Sequence, residues 1–291
     1  MLALASRLLR LSLTAAVVLA ASRAEAGGYP EARHRVLPCR PTIACTADIV
    51  EPGALEIEAG WLARRVRSAG FQHAQPILVT LSVSRWFQLQ LGTNGRIFST
   101  GDVQEPAGYF DGASAGIKAH FLDQTDALPA LAVSLALRVP SWDRPRGVPF
   151  ALDATLWGYA TKDLGVLHVD LNAALSALRV GGGPAWQPLL AIALSVPLGT
   201  RFGAMVEGYD FGAADAVAPP DAGVLGALTF SPRPWVMFDA GVDTSFFPST
   251  RAHSLFLGVT AIPWVFSDGA SPAVARANGP ASSPLSWRRR R

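Results

Sequence analysis

The chain has 291 residues, 50% of them hydrophobic and only 16% charged, and its formal net charge is +3. So weak a charge excludes bulk attraction to nucleic acid, and no internal run reaches the roughly 18 apolar residues that a spanning helix needs. The longest, residues 189–198, is interrupted by Ser195 and Pro197. A hydrophobic chain without such helices is either a large soluble core or a membrane barrel, and the strand pattern decides.

At the N-terminus, Arg7 and Arg10 precede an apolar stretch over residues 11–21, and Ala24-Glu25-Ala26 supplies a small-x-small cleavage site. This pattern predicts a secretory signal over residues 1–26. Residues 27–50 are then expected as an N-terminal segment in the periplasm, where Cys39 and Cys45 would close a small disulfide loop. With only His34 nearby, the segment carries too few ligands for a metal site.

From residue 51 the chain breaks into segments of about ten residues with a period of two, the spacing that sends successive strand side chains to opposite faces. In residues 54–66, Leu55, Ile57, Ala59 and Trp61 oppose Glu56, Glu58, Gly60 and Arg64. Ile77, Val79 and Leu81 oppose Thr80 and Ser82, and Phe87, Leu89 and Leu91 alternate with Gln88, Gln90 and Gly92. Ile117, Ala119 and Phe121 then oppose Lys118 and His120, and Leu131, Val133, Leu135 and Leu137 oppose Ala132, Ser134 and Arg138. In residues 152–159 the alternation of Leu152, Ala154 and Leu156 is blurred by Trp157 and Tyr159. Val169, Leu171 and Leu175 oppose His168, Asp170, Asn172 and Ser176. Further strands are expected over residues 188–198, 201–209, 223–230, 235–245 and 254–266.

Charge placement separates barrel from sandwich. A Lys or Arg facing lipid near the midplane costs about 2–4 kcal/mol, whereas facing the lumen it stays solvated. Glu56, Glu58, Lys118, Arg138, Asp170, Glu207 and Asp239 all fall on the polar faces, and the opposite faces stay free of charge until strand ends such as Arg65. The expected fold is therefore all-β, an antiparallel transmembrane β-barrel of about 12 strands over residues 51–266. Its expected lumen-lining set is Glu56, Glu58, Lys118, Arg138, His168, Asp170, Asn172, Glu207 and Asp239. These mixed charges would either set solute preference or pair with one another and fill a narrow interior.

Connections alternate in length. Longer ones are expected outside, at residues 68–75, 93–112, 140–149, 179–187, 210–221 and 246–251, with short turns between them facing the periplasm. Trp86 with Phe87, Phe230 with Trp235, and Trp264 with Phe266 sit at predicted strand ends, as interfacial girdles require. Residues 267–291, rich in Ala, Ser, Pro and Gly and ending in four arginines, read as a disordered basic tail.

Phe110-Asp111-Gly112, Ala115-Gly116-Ile117-Lys118, Phe121-Leu122-Asp123, the run from Pro129 to Leu135 and Val139-Pro140-Ser141 carry a resemblance. With the stretches at residues 51–61, 84–92 and 238–242, they resemble the outer-membrane β-barrel family of MetA-pathway phenol-degradation transporters, over roughly residues 46–266. That resemblance implies a single-chain barrel for uptake of small organic, often aromatic, compounds, and brings no catalytic residues. Barrels of this style commonly end on an aromatic residue, whereas this chain continues beyond Phe266.

Motifs for chemistry are lacking. None of His34, His73, His120, His168 or His253 has serine two positions on, and no metalloprotease, nucleophile-elbow or phosphate-loop sequence occurs. Gly181-Gly182-Gly183-Pro184 lacks the lysine and strand–helix frame of a phosphate loop. The expectation is a non-enzymatic channel or facilitator for small, hydrophobic or aromatic organic molecules, needing no cofactor. Its partners would be outer-membrane lipid, the outer-membrane assembly machinery and the solute, with no nucleic acid. The alternative is a closed barrel with a structural or surface role through loops 93–112 and 210–221.

Overall fold

A computed structural model describes residues 35–66, 70–100, 108–142, 152–180, 183–214, 220–247 and 251–266. The expected signal over residues 1–26 and tail over residues 267–291 lie outside the described residues. The described strands, from Ala54 to Val265, form a closed antiparallel barrel of 12 strands.

In chain order the strands are β1 (Ala54–Val66), β2 (Gly70–Ala74 and Ile77–Ser82), β3 (Phe87–Thr93 and Arg96–Thr100) and β4 (Tyr109–Phe110 and Ala113–Leu122). There follow β5 (Ala130–Val139), β6 (Asp153–Leu164), β7 (Leu167–Val180) and β8 (Gly183–Pro197). The last four are β9 (Phe202–Phe211), β10 (Asp221–Arg233), β11 (Val236–Ser245) and β12 (Ala252–Val265). Each pairs with its neighbour in sequence, and β1 closes on β12 from Ala54↔Val265 to Val66↔Ala252. Among the described residues closure gives each of the 12 strands a neighbour on both sides, as a sheet in hydrocarbon requires.

The two faces invert the pattern of a soluble protein. Leu228 is 61% exposed and Val242 58%, whereas Glu56, Glu58 and Glu207 are each 1% exposed. Phe87, Leu89 and Leu91 point outward from β3 while Gln88 is buried. An apolar outer band enclosing buried charge belongs in a membrane, so the chain is an outer-membrane barrel. Exposed Phe87, Phe121, Phe202, Trp235, Trp264 and Phe266 gather at the end carrying the barrel's two termini, its periplasmic end. The rings of Phe202 and Phe230 pack 4.9 Å apart there.

Strands β2, β3 and β4 break at one height, at Gln75-Pro76, Asn94-Gly95 and Asp111-Gly112. Pro76 has no N–H to give the ladder. Gly112 has φ +88°, and a Cβ there would sit 2.2 Å from the Val139 carbonyl oxygen, so only glycine fits. Backbone hydrogen bonds still bridge the strands at this level. Gly60 N–H donates to Pro76 O (2.9 Å), Gln75 N–H to Asn94 O (3.0 Å) and Asp111 N–H to Gly95 O (2.9 Å).

Outer connections are tighter than the sequence suggests. Residues 96–100 and 109–110 of the expected 93–112 loop continue β3 and β4, and residues 183–187 open β8, leaving only residues 181–182 between β7 and β8. The pairing Arg179↔Pro184 and Val180↔Gly183 shows why: ladder hydrogen bonds run into a stretch whose side chains carry no apolar alternation.

Candidate functional site: the filled lumen

Residues 27–50 are expected in the periplasm, but the described part of this segment runs inside the barrel. Val36 N–H donates to Pro234 O (3.0 Å) at the periplasmic turn between β10 and β11, and the chain rises from there. It turns around the Cys39–Cys45 disulfide, then descends to enter β1 at Ala54. Extended chain without ladder partners must find other acceptors for its N–H groups. In this barrel the acceptors are the inward side chains of the wall.

On the rising limb, Leu37 N–H donates to Glu56 Oε2 (2.7 Å), Cys39 N–H to Glu58 Oε1 (3.1 Å) and Arg40 N–H to Glu58 Oε2 (2.8 Å). Across the turn, Ile43 N–H reaches both oxygens of Glu207 (3.0 and 2.9 Å), and Ala44 N–H donates to Glu207 Oε2 (2.9 Å). Asn172 engages both backbone groups of Cys45, accepting from its N–H (2.7 Å) and donating to its carbonyl (2.8 Å). On the descending limb Ala47 N–H donates to Thr161 Oγ1 (2.7 Å), which donates on to Asp170 Oδ1 (2.5 Å). Lys118 Nζ donates to the carbonyls of Thr46 (2.6 Å) and Asp48 (2.9 Å) and lies 4.8 Å from the centre of the Tyr159 ring. His120 Nδ1 lies 3.1 Å from Ala47 O.

Charges buried in this way are tolerable because each is paired or hydrogen-bonded. Carboxylates hold N–H groups, and the one buried lysine holds carbonyls. Room for the inserted chain comes from small inward residues. Ala44 packs with Ala174, Leu189, Ala191, Ala193 and Tyr209, and Ala47 packs with Ala130, Ala132 and Tyr159. Opposite Arg40 the wall carries Gly60, where a Cβ would stand 2.2 Å from the guanidinium.

Of the nine residues read from the sequence, Glu56, Glu58, Lys118, Asn172 and Glu207 grip the segment directly, and Asp170 acts through Thr161. Asp239 is buried, with one carboxylate oxygen lacking a partner among the described residues. The other two lie apart. Arg138 sits at the outer mouth, 2.7 Å from Asp111 and 3.7 Å from Asp153. His168 stands at the periplasmic end of β7 between Asp163 (2.6 Å) and Asp170 (3.2 Å).

Thr161, Trp157, Tyr159 and Gln90 were missed. The signal for the two aromatic residues is their blurring of β6, since they share inward parity with Asp153, Thr155 and Thr161. Above the disulfide turn, a cavity of about 220 Å³ is lined by Cys39, Ile43, Cys45, Leu78, Gln90 and Trp157, with Ser114, Gly116, Ala136 and Tyr159 completing it. Trp157 and Tyr159 stack with centroids 6.1 Å apart, and no charged side chain lines the space.

No protein-family model matches the chain, and no curated protein matches it. Among solved structures it is similar to the COG4313 outer membrane channel from Pseudomonas putida F1, at 11% identity over 74% of this chain and 97% of that one, with a TM-score of 0.50. It is also similar to the KdgM porin (10% identity, 70% and 98%, TM-score 0.47) and the NanC porin (8%, 72% and 99%, TM-score 0.47). At 11% identity the likeness to the COG4313 channel is one of fold. The chain is thus an outer-membrane β-barrel of 12 strands whose lumen is occupied by its own N-terminal segment.

Proposed function

We propose that the barrel is a passive facilitator for small, uncharged, largely apolar organic molecules, aromatic ones included. A solute would enter at the outer mouth, settle in the cavity above the disulfide turn and pass when the inserted segment shifts. The observation that carries this reading is the cavity lining: Trp157, Tyr159, Leu78 and Ile43 offer apolar and ring contacts, and no charge is present to hold an ion. Gln90 supplies an amide that makes no hydrogen bond to another side chain or backbone group among the described residues, so it is available to one polar group on a solute. A space of about 220 Å³ lies below the 300–1,000 Å³ of drug-sized pockets and suits a molecule of one or two rings.

Apart from its continuation into β1, the described part of the inserted segment is held to the wall by hydrogen bonds and packing, and its one disulfide lies within the segment itself. Such contacts can rearrange without unfolding the barrel. The lipid-facing band would contact outer-membrane lipid, and its strands would be inserted by the outer-membrane assembly machinery. The direct test is entry of benzamide into lipopolysaccharide-containing vesicles carrying the protein, measured beside benzoate. Benzamide should enter faster than into empty vesicles and benzoate should not. Equal entry of both, or none above background, overturns the reading. The filled lumen also favours a second reading, a closed barrel serving a structural or surface role. That reading gains if the vesicles stay impermeable even when contacts to the segment are weakened.

A further inference from the structure

We propose that the Cys39–Cys45 disulfide is a redox latch on the inserted segment, opened by low-molecular-weight thiols reaching it from the outer mouth. This rests on the facilitator reading, because it regulates the same lumen. The two half-cystines lie six residues apart, with Cα atoms 4.6 Å apart, at the turn of the segment. Both also line the cavity above that turn, so the bond faces the outer half of the lumen. An uncharged thiol small enough for a space of about 220 Å³ would meet the bond from that cavity.

The bond lies between the segment's principal wall contacts. Glu58 holds the N–H groups of Cys39 and Arg40, Glu207 those of Ile43 and Ala44, and Asn172 both backbone groups of Cys45. With the disulfide closed, these three grips act on one rigid loop, and none can let go alone. With it open, residues 39–45 become flexible chain and each contact must order its own piece. Loop-closure entropy for a ring of about seven residues corresponds to roughly a 50-fold bias toward the docked loop, the most that reduction could remove.

The exchange balances without other reactants. A thiolate attacks one cystine sulfur, the S–S bond breaks, and the second cysteine leaves as thiolate. A second thiolate attacks the mixed disulfide, so two thiols are oxidised to one disulfide while the cystine is reduced by two electrons. The protons shed by the attacking thiols end on Cys39 and Cys45.

The test uses the full-length protein in vesicles, with 2-mercaptoethanol, a small uncharged thiol, added outside. Three readouts are taken: alkylation of the cysteines by iodoacetamide, amide hydrogen exchange over residues 39–45, and benzamide entry. We expect both cysteines to become alkylated in the folded barrel. Exchange at Ile43 and Ala44 should quicken by about ten- to 50-fold, with benzamide entry rising in step and reoxidation reversing both. The double variant Cys39→Ser/Cys45→Ser should show the fast exchange and fast entry without 2-mercaptoethanol and ignore its addition. A disulfide that stays closed in the folded barrel, or exchange unchanged after reduction, refutes the latch. Faster exchange with no solute entry in either state upholds the latch on the segment and refutes the facilitator reading.

Discussion

Glu207→Gln isolates the strongest grip on the inserted segment. The carboxylate is 1% exposed and takes Ile43 N–H on both oxygens and Ala44 N–H on one, at 2.9–3.0 Å. An amide of the same shape, with its oxygen where Oε2 stands, still accepts from Ile43 and Ala44, but its NH₂ group replaces Oε1 and faces the Ile43 N–H at 3.0 Å. Both surviving bonds fall from charge-assisted to neutral, about 1 kcal/mol each, and the close approach of NH₂ to the Ile43 N–H adds a repulsive contact. Burying an amide instead of a carboxylate gives part of this back. The net expectation is about 2 kcal/mol against docking, or roughly thirtyfold in the docking equilibrium. Amide exchange at Ile43 and Ala44 should quicken by that factor, while the unheated protein still migrates on SDS gels as a folded barrel. Exchange within twofold of the unsubstituted protein would refute the account of Glu207 as a clamp.

The other expectations act on different parts of the molecule. Lys118→Met removes the donor to the carbonyls of Thr46 and Asp48 and should speed exchange in residues 46–48 more than in residues 43–44, read by the same measurement. Ile192→Arg places a cation on the lipid face at mid-strand, where Ile192 is 46% exposed, and should lower barrel stability by about 2–4 kcal/mol in denaturant titration in bilayers. Trp157→Ala enlarges the cavity and removes a ring from it, so benzamide entry should lose its preference over an aliphatic amide of equal size; an unchanged ratio would place the selective contact elsewhere.

The wall was legible in the sequence because a β-strand reports its two environments locally. Parity in β3, β4, β5 and β7 separates Leu91, Ile117, Leu135 and Leu171 from Gln88, Lys118, Ser134 and Asp170, and the structure buries the second group while exposing the first. Even the blurred strand β6 follows this rule, with Trp157 and Tyr159 turned inward toward the segment. Loop lengths were less legible, since the outer ends of β3, β7 and β8 keep their ladder through residues that have no lipid to face.

What the inward set does was decided by tertiary structure alone. Residues 35–50 have no periodicity to report, because each backbone group meets a different side chain on a different strand. Ile43 finds Glu207 at a separation of 164 residues, and Cys45 finds Asn172 at 127. The sequence by itself determined which side chains face the lumen, through a two-residue period and the cost of charge in lipid. Only closure of the barrel brings those side chains around a single chain, so only the tertiary structure decided that they hold a segment there.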